Sequence, residues 1–446
     1  MGLAVMKPSA IYYFPRGFLW GTATSSHQVE GSNVNNNWAA WENQPGRILD
    51  NSRAGLACNW WGGKWREDFD RAADAGQNAH RLSIEWSRVQ PTPDHWDEDA
   101  LEFYRRVVRG LVERKMTPLV TLHHFTDPLW LVEQGGWENE ETPQRFARYV
   151  RKVVEALKEY VTLWVTINEP NVYIWGGWLG GGFPPGKNDL KLAFRVAGNL
   201  LRAHALAYQA IHAVQPQARV GLAHHWRGFD PARRWFPPDH WTARLLFESF
   251  SAAFPRAVTD GKLRFALRTL RVPEAAGTQD FFGLNYYASD LVAFTPFAKL
   301  FHRRFYPPDV EVSPSGMFAN MPQGMFAALK WAKSFRLPIL ITENGIEDAE
   351  DALRPRFLLQ NLHAVWRAIT FSFPVKGYFH WTLVDNFEWE RGWTQRFGLW
   401  GLDLQTQARI PRLSARLYAA ICKENGIRAE TVEQFAPEVY EKLYPG

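Results

Sequence analysis

Eight short runs rich in β-branched and aromatic residues recur along the chain at 18–24, 79–84, 117–122, 163–167, 219–223, 280–285, 338–342 and 375–381, and most are separated by segments of helical apolar spacing. That alternation narrows the fold more than any other feature, because it is the rhythm of an α/β protein with a parallel sheet. Between the third and fourth runs, Thr142 and Pro143 read as N-cap and first helical residue, followed by Phe146, Tyr149, Val150, Val153, Val154 and Leu157 on one face. Before the third run, Asp97 reads as the cap of a helix whose face carries Leu101, Tyr104, Val108, Leu111 and Val112. No Gly/Ser linker or composition shift divides the chain, so residues 1–446 are expected to form a single (β/α)8 barrel domain. The rival, an open doubly wound sheet, lacks support because no Gly-x-Gly-x-x-Gly turn follows the first run. The longest irregular stretches, 33–60, 224–238 and 288–322, each follow a strand, which places them on the catalytic face.

Composition excludes several function classes. The net charge of +5 is spread as isolated pairs such as Arg233-Arg234 and Arg303-Arg304, with no basic run to follow a phosphate backbone, so no nucleic-acid partner is expected. Cys58 and Cys422 offer neither a disulfide framework nor metal spacing. The stretch 1–13 lacks the apolar core of a secretory signal, and no later segment has 18 uninterrupted apolar residues, so a cytoplasmic location without membrane insertion is expected. Adjacent residues of a strand face opposite sides, so neither His123-His124 nor His224-His225 suggests a metal; His124 and His225 read as packing or supporting hydrogen-bond residues. The glycine-rich stretch 180–186 has no Gly-Lys-Ser/Thr ending, and no cofactor is implied. The 22 Trp exceed what a core needs, and indole faces stack well on the C–H faces of sugars. Trp60-Trp61 and Trp235-Phe236 are expected in the core rather than on such a platform.

Polar groups gather where the runs end, the edge at which barrel active sites are assembled. Gln28 follows the first, Arg81 lies in the second, His123 follows the third, and Asn168 and Glu169 follow the fourth. Asn285 ends the sixth and Tyr287 follows it, Glu343 follows the seventh, and Trp381 ends the eighth. Glu169 and Glu343 each come directly after an apolar strand, which aims both into the barrel mouth rather than leaving them as solvated loop acids. Glycosidic bond cleavage requires such a pair, one carboxyl to protonate the leaving oxygen and one to attack or to activate water.

At these residues the chain resembles glycoside hydrolase family 1, the β-glucosidase and β-galactosidase family. Thr166-Ile167-Asn168-Glu169-Pro170 matches the family segment that carries the acid/base, and Ile341-Thr342-Glu343-Asn344-Gly345 matches the one that carries the nucleophile. Further matches run from Phe18-Leu19-Trp20-Gly21 and Gln28-Val29-Glu30-Gly31 through Leu122-His123-His124-Phe125 and Asn285-Tyr286-Tyr287 to Asn386-Phe387-Glu388-Trp389. The resemblance implies that Gln28 and His123 bind the non-reducing sugar and that Asn168 holds its 2-hydroxyl. It also implies that Tyr287 contacts the nucleophile with Arg81 and Asn285 in support, that Trp381 stacks beneath the ring, and that Glu388 and Trp389 hold the outer hydroxyls. His27 stands where the family usually has Tyr, and Glu85 and Thr126 occupy positions that vary among subgroups. Glu388 would repel a phosphate, which argues against 6-phosphoglycosides. The implied activity is retaining hydrolysis of terminal non-reducing β-D-glucosyl, and also galactosyl or fucosyl, residues of O-glycosides and short β-linked oligosaccharides, with no metal. Transglycosylation through the same intermediate and a sugar-binding pseudoenzyme are the alternatives.

Overall fold

The structure is a computed structural model that describes residues 10–298 and 301–445. Eight parallel strands among these residues form a closed ring: β1 (Leu19–Ala23), β2 (Ala79–Ser83), β3 (Thr117–His123), β4 (Leu163–Asn168), β5 (Arg219–Pro231), β6 (Phe282–Phe294), β7 (Ile339–Asn344) and β8 (Val375–Trp381). Each pairs with its successor, and β8 pairs with β1 from Gly377↔Leu19 to Trp381↔Ala23. The ring's interior is filled by Ala23, Ala79, Leu119, Val165, Ala223, Phe281, Leu340 and Phe379, so small and large side chains share a space with no room for a pore. At Gly283 a Cβ would lie 2.4 Å from the carbonyl oxygen of Leu222 on the neighbouring strand, so only glycine allows that approach.

The helices that return the chain lie outside: α1 (Trp65–Asp74), α2 (Glu98–Glu113), α3 (Thr142–Leu157), α4 (Leu190–Val214), α5 (Ala253–Asp260), α6 (Pro322–Lys333), α7 (Arg354–Thr370) and α8 (Leu413–Glu424). Asp97 caps α2 by accepting from Ala100 N at 2.9 Å. α3 begins at Thr142 itself, with Glu141 as its cap, one residue earlier than the sequence suggests. The six apolar residues read onto its inner face, Phe146 to Leu157, are all fully buried, and each contributes roughly 1.5–3 kcal/mol through lost water contact. Below the barrel, Ile11–Tyr13 pairs antiparallel with Gly426–Arg428, joining the two ends of the described chain. Residues 1–9, part of the stretch read for a signal, lie outside the described residues. No helix among the described residues is long and apolar enough to cross a membrane.

Two expectations are corrected. The stretches 224–238 and 288–322 are not irregular from their start: β5 continues to Pro231 and β6 to Phe294, paired in parallel far beyond the barrel rim, and β6 then meets His302–Phe305 antiparallel. Polar side chains obscure the strand pattern here, but they are cross-strand partners. Arg227 donates to both oxygens of Asp290, at 2.7 and 2.6 Å, and Arg304 adds a third contact at 3.2 Å. Trp235 is not core either; it is 78% exposed on the turn after β5, whereas Trp60 is buried and donates to Asp68. Indole bulk is no guide when the backbone beneath it runs over the surface. Because Asp290 is buried, Arg227→Ala is expected to cost roughly 3 kcal/mol, measured as the shift of the urea unfolding midpoint at unchanged slope. A loss within a few tenths of a kcal/mol would show that Arg304 alone satisfies Asp290.

Candidate active site

At the carboxyl ends of the strands a cavity of about 150 Å³ opens between the rim and its loops. Asn168, Glu169, Tyr287, Glu343, Trp381, Glu388 and Trp389 line it. Beneath them lies Arg81, wholly buried in β2. Its guanidinium donates to Glu343 Oε1 at 2.5 Å, to Asn168 Oδ1 at 2.7 Å, to Thr121 Oγ1 at 3.0 Å and to the carbonyl of Thr342 at 3.2 Å. Tyr287 donates its hydroxyl to the other oxygen, Glu343 Oε2, at 2.7 Å.

Glu169 sits at the turn from β4 into the short helix Pro170–Ile174, with a positive φ of 41° that an L-residue seldom adopts. Backbone bonds hold it there, from Glu169 N to the Ala223 carbonyl at 2.8 Å and from Tyr173 N to the Glu169 carbonyl at 3.0 Å. Its Oε1 accepts from Asn285 Nδ2 at 2.8 Å and lies 2.8 Å from His225 Nδ1. Asn285 Nδ2 also reaches Asn168 Oδ1 at 3.2 Å, so an unbroken chain of hydrogen bonds joins Glu169 to Arg81 and on to Glu343.

Irregular strand phase sets which side chains enter the cavity. On β3, Thr121 faces inward to Arg81, but the alternation slips before the strand ends. His123 pairs with Ile167 of β4, and it turns outward among Trp137, Phe146 and Tyr173, with Nε2 3.0 Å from Asp127 Oδ1. His124 and Asn168 face inward instead, and Asn168 Nδ2 donates to His124 Nε2 at 3.0 Å. Matching register shifts fall between Val165 and Asn168 and between Ile341 and Glu343, where one extra residue re-aims the side chain that follows. His123 is therefore corrected: the structure brings His124 to the cavity and leaves His123 outside it.

Gln28 does not line the cavity but stands behind Glu388. Its Nε2 donates to the Phe387 carbonyl at 2.8 Å and approaches Glu388 Oε2 at 3.3 Å. His27 stacks on Trp389 with ring centres 6.0 Å apart, and Thr126 donates to the buried Glu85 at 3.0 Å. His225 and the loop residues Phe183, Met317, Phe318 and Gln395 also line the cavity. His225 stood at a strand end and was open to discovery from the sequence; the loop residues carry no pattern that would find them.

Burial and neighbouring charges shift several groups of the site. Burial pushes Glu343 up from the ordinary carboxylate range against the pull of Arg81, and repulsion from Glu169 adds to the rise, bringing it to about 7. Burial, with the nearby Glu343 and Glu169 charges, also pushes Tyr287 well above the usual phenol range, so it stays a donor. Burial and Arg81 push His124 well below the ordinary imidazole range, which leaves it neutral and able to accept from Asn168. Glu388 is pushed well above the carboxylate range by burial and by Glu390, with Trp381 and Gln28 holding it back.

A barrel whose mouth holds two carboxyls on one cavity, one clamped by arginine and tyrosine, beside two indoles, is a site suited to acting on a sugar. The glycosyl hydrolase family 1 model matches residues 11–427, and the chain belongs to that family. It is 33% identical to β-glucosidase A of Thermotoga maritima over 442 residues, covering 93% of this chain and 98% of that one. It is 28% identical to a β-galactosidase of Sulfolobus acidocaldarius, with 94% and 96% covered. Among solved structures, a β-glycosidase from Pyrococcus horikoshii superposes with a TM-score of 0.89 at 38% identity, with 96% and 98% covered. The Thermotoga maritima β-glucosidase in complex with glucoimidazole gives 0.87 at 32%, with 93% and 100% covered.

Arg81 lowers the proton affinity of Glu343, so Arg81→Met is expected to move the Glu343 titration to higher pH, and Tyr287→Phe to move it the same way by less. Carbon-13 NMR of the glutamate carboxyl carbons reads both; an unchanged midpoint in Arg81→Met would place the control of that charge elsewhere.

Proposed function

We propose that the enzyme is a retaining β-glycosidase that removes terminal β-D-glucosyl residues, and also galactosyl or fucosyl residues, from O-glycosides and short β-linked oligosaccharides. The observation that carries this reading is the unequal holding of the two carboxyls. Glu343 meets a guanidinium and a phenol, which favour its charged form, whereas Glu169 accepts from an amide and lies against an imidazole. In the first step Glu343 attacks the anomeric carbon while Glu169 gives its proton to the departing oxygen. In the second, Glu169 takes a proton from water as the water oxygen displaces Glu343, so the β configuration returns.

Asn168, fixed by Arg81 through its oxygen, is the group for the 2-hydroxyl, and Trp381 is the floor of the sugar site. Glu388, backed by Gln28, and Trp389 take the outer hydroxyls, and His124 takes the sugar contact first assigned to His123. The glucose preference draws support from relatives named β-glucosidases and from solved complexes of one of them with glucoimidazole and deoxynojirimycin. Galactosides are included because a relative is named a β-galactosidase and the same solved enzyme has a galacto-hydroximolactam complex.

Proton NMR during cleavage of an aryl β-glucoside is expected to show β-glucose before mutarotation; α-glucose first would overturn the nucleophile assignment. Glu343→Gln should lower kcat by roughly 10⁴-fold or more. Glu169→Ala should lower kcat/KM for substrates with poor leaving groups by roughly 10²-fold or more, leave kcat/KM for activated aryl glycosides nearly unchanged, and yield a β-glycosyl azide when azide is added. Equal losses for both substrates would remove Glu169 from the acid role. Since the Glu169 charge raises Glu343, Glu169→Gln should move the acid limb of activated-substrate cleavage to lower pH.

A further inference from the structure

We propose that His225 is the positioning residue that decides which oxygen of Glu169 carries the acidic proton, an inference that rests on the reading of Glu169 as acid/base. Two nitrogens converge on Oε1, Asn285 Nδ2 at 2.8 Å and His225 Nδ1 at 2.8 Å. An amide NH2 only donates, so Oε1 accepts from Asn285, and we assign His225 the tautomer with its hydrogen on Nδ1, so that Oε1 accepts from both nitrogens. No donor among the described residues meets Oε2. The proton therefore sits on Oε2, and its direction is set by what holds Oε1.

The placement of His225 is built in. His225 and Asn285 are direct register partners on β5 and β6, so one rung of the ladder supplies both nitrogens. The ring lies nearly parallel to Tyr287, with centres 5.7 Å apart and planes 18° apart, and meets Phe250 edge-on at 5.6 Å. Asn171 Nδ2 donates to the His225 carbonyl at 2.8 Å and to the Phe250 carbonyl at 3.0 Å, tying the backbone of both. Tyr287 is also the residue that donates to Glu343, so one stacked pair of rings orients both carboxyls.

In the first step the Oε2 proton passes to the glycosidic oxygen as its bond to the anomeric carbon breaks, and the new carboxylate is met at Oε1 by two N–H groups. In the second step Oε2 takes a proton from the attacking water as the bond to Glu343 breaks. Without the His225 donor the carboxyl can rotate, and the correctly aimed acid is lost in proportion to how much a leaving group needs it.

The test compares His225→Phe, which keeps a ring between Tyr287 and Phe250 without a donor, with His225→Asn, which restores an N–H. For an alkyl β-glucoside, kcat/KM is expected to fall roughly 30- to 100-fold in His225→Phe, and for a dinitrophenyl β-glucoside by less than about 3-fold. His225→Asn should recover the alkyl glucoside to within about 5-fold of the parent. Equal losses for both substrates, no loss, or an Asn variant as slow as the Phe variant would each overturn the proposal. Glu169→Ala is run beside them: leaving-group dependence and azide rescue there, with none in His225→Phe, removes only the role of His225. Their absence in Glu169→Ala removes the acid reading itself.

Discussion

A fully buried guanidinium at the mouth of a closed barrel is the constraint around which the site is organised. Stripping Arg81 of solvent costs several kcal/mol, and only a full set of partners can offset it. Those partners come from β3, β4 and β7: the Thr121 hydroxyl, the Asn168 amide oxygen, the Glu343 carboxylate and the Thr342 carbonyl. The same bonds fix Glu343 relative to Asn168, and Asn285 extends that frame to Glu169. Catalytic geometry and the satisfaction of one buried charge are thus a single requirement.

Much of this was legible because strand ends are predictable positions. The apolar runs before Glu169 and Glu343 announced both carboxyls, and Arg81 stood out as a charge inside a run otherwise fit for burial. Where the reading failed, the cause was local phase. The resemblance pointed to the first of two adjacent histidines, and the end of β3 turns the second, His124, into the cavity, a choice that composition does not mark. The polar continuations of β5 and β6 were missed for a related reason. Arg227 and Asp290 look like loop residues until the ion pair that joins them across the two strands is seen.

The far wall of the cavity follows a different logic. Phe183, Met317, Phe318 and Gln395 come from connections between elements, and nothing periodic constrains them. One side of the cavity is therefore written in strand-end residues held by a buried hydrogen-bond network, whereas the other is written in loops. Family resemblance fixes the first and says little about the second.

The pairing of β8 with β1 brings together segments from opposite ends of the sequence, and Trp381 reaches the cavity from the last strand of the ring. Contacts of such separation are the slowest to form in a folding chain. Until the ring shuts, Arg81 and its acceptors share no common interior, and Glu343 has no fixed counter-charge. The appearance of turnover during refolding therefore times barrel closure itself, and any truncated product of synthesis that lacks the last strand is catalytically silent.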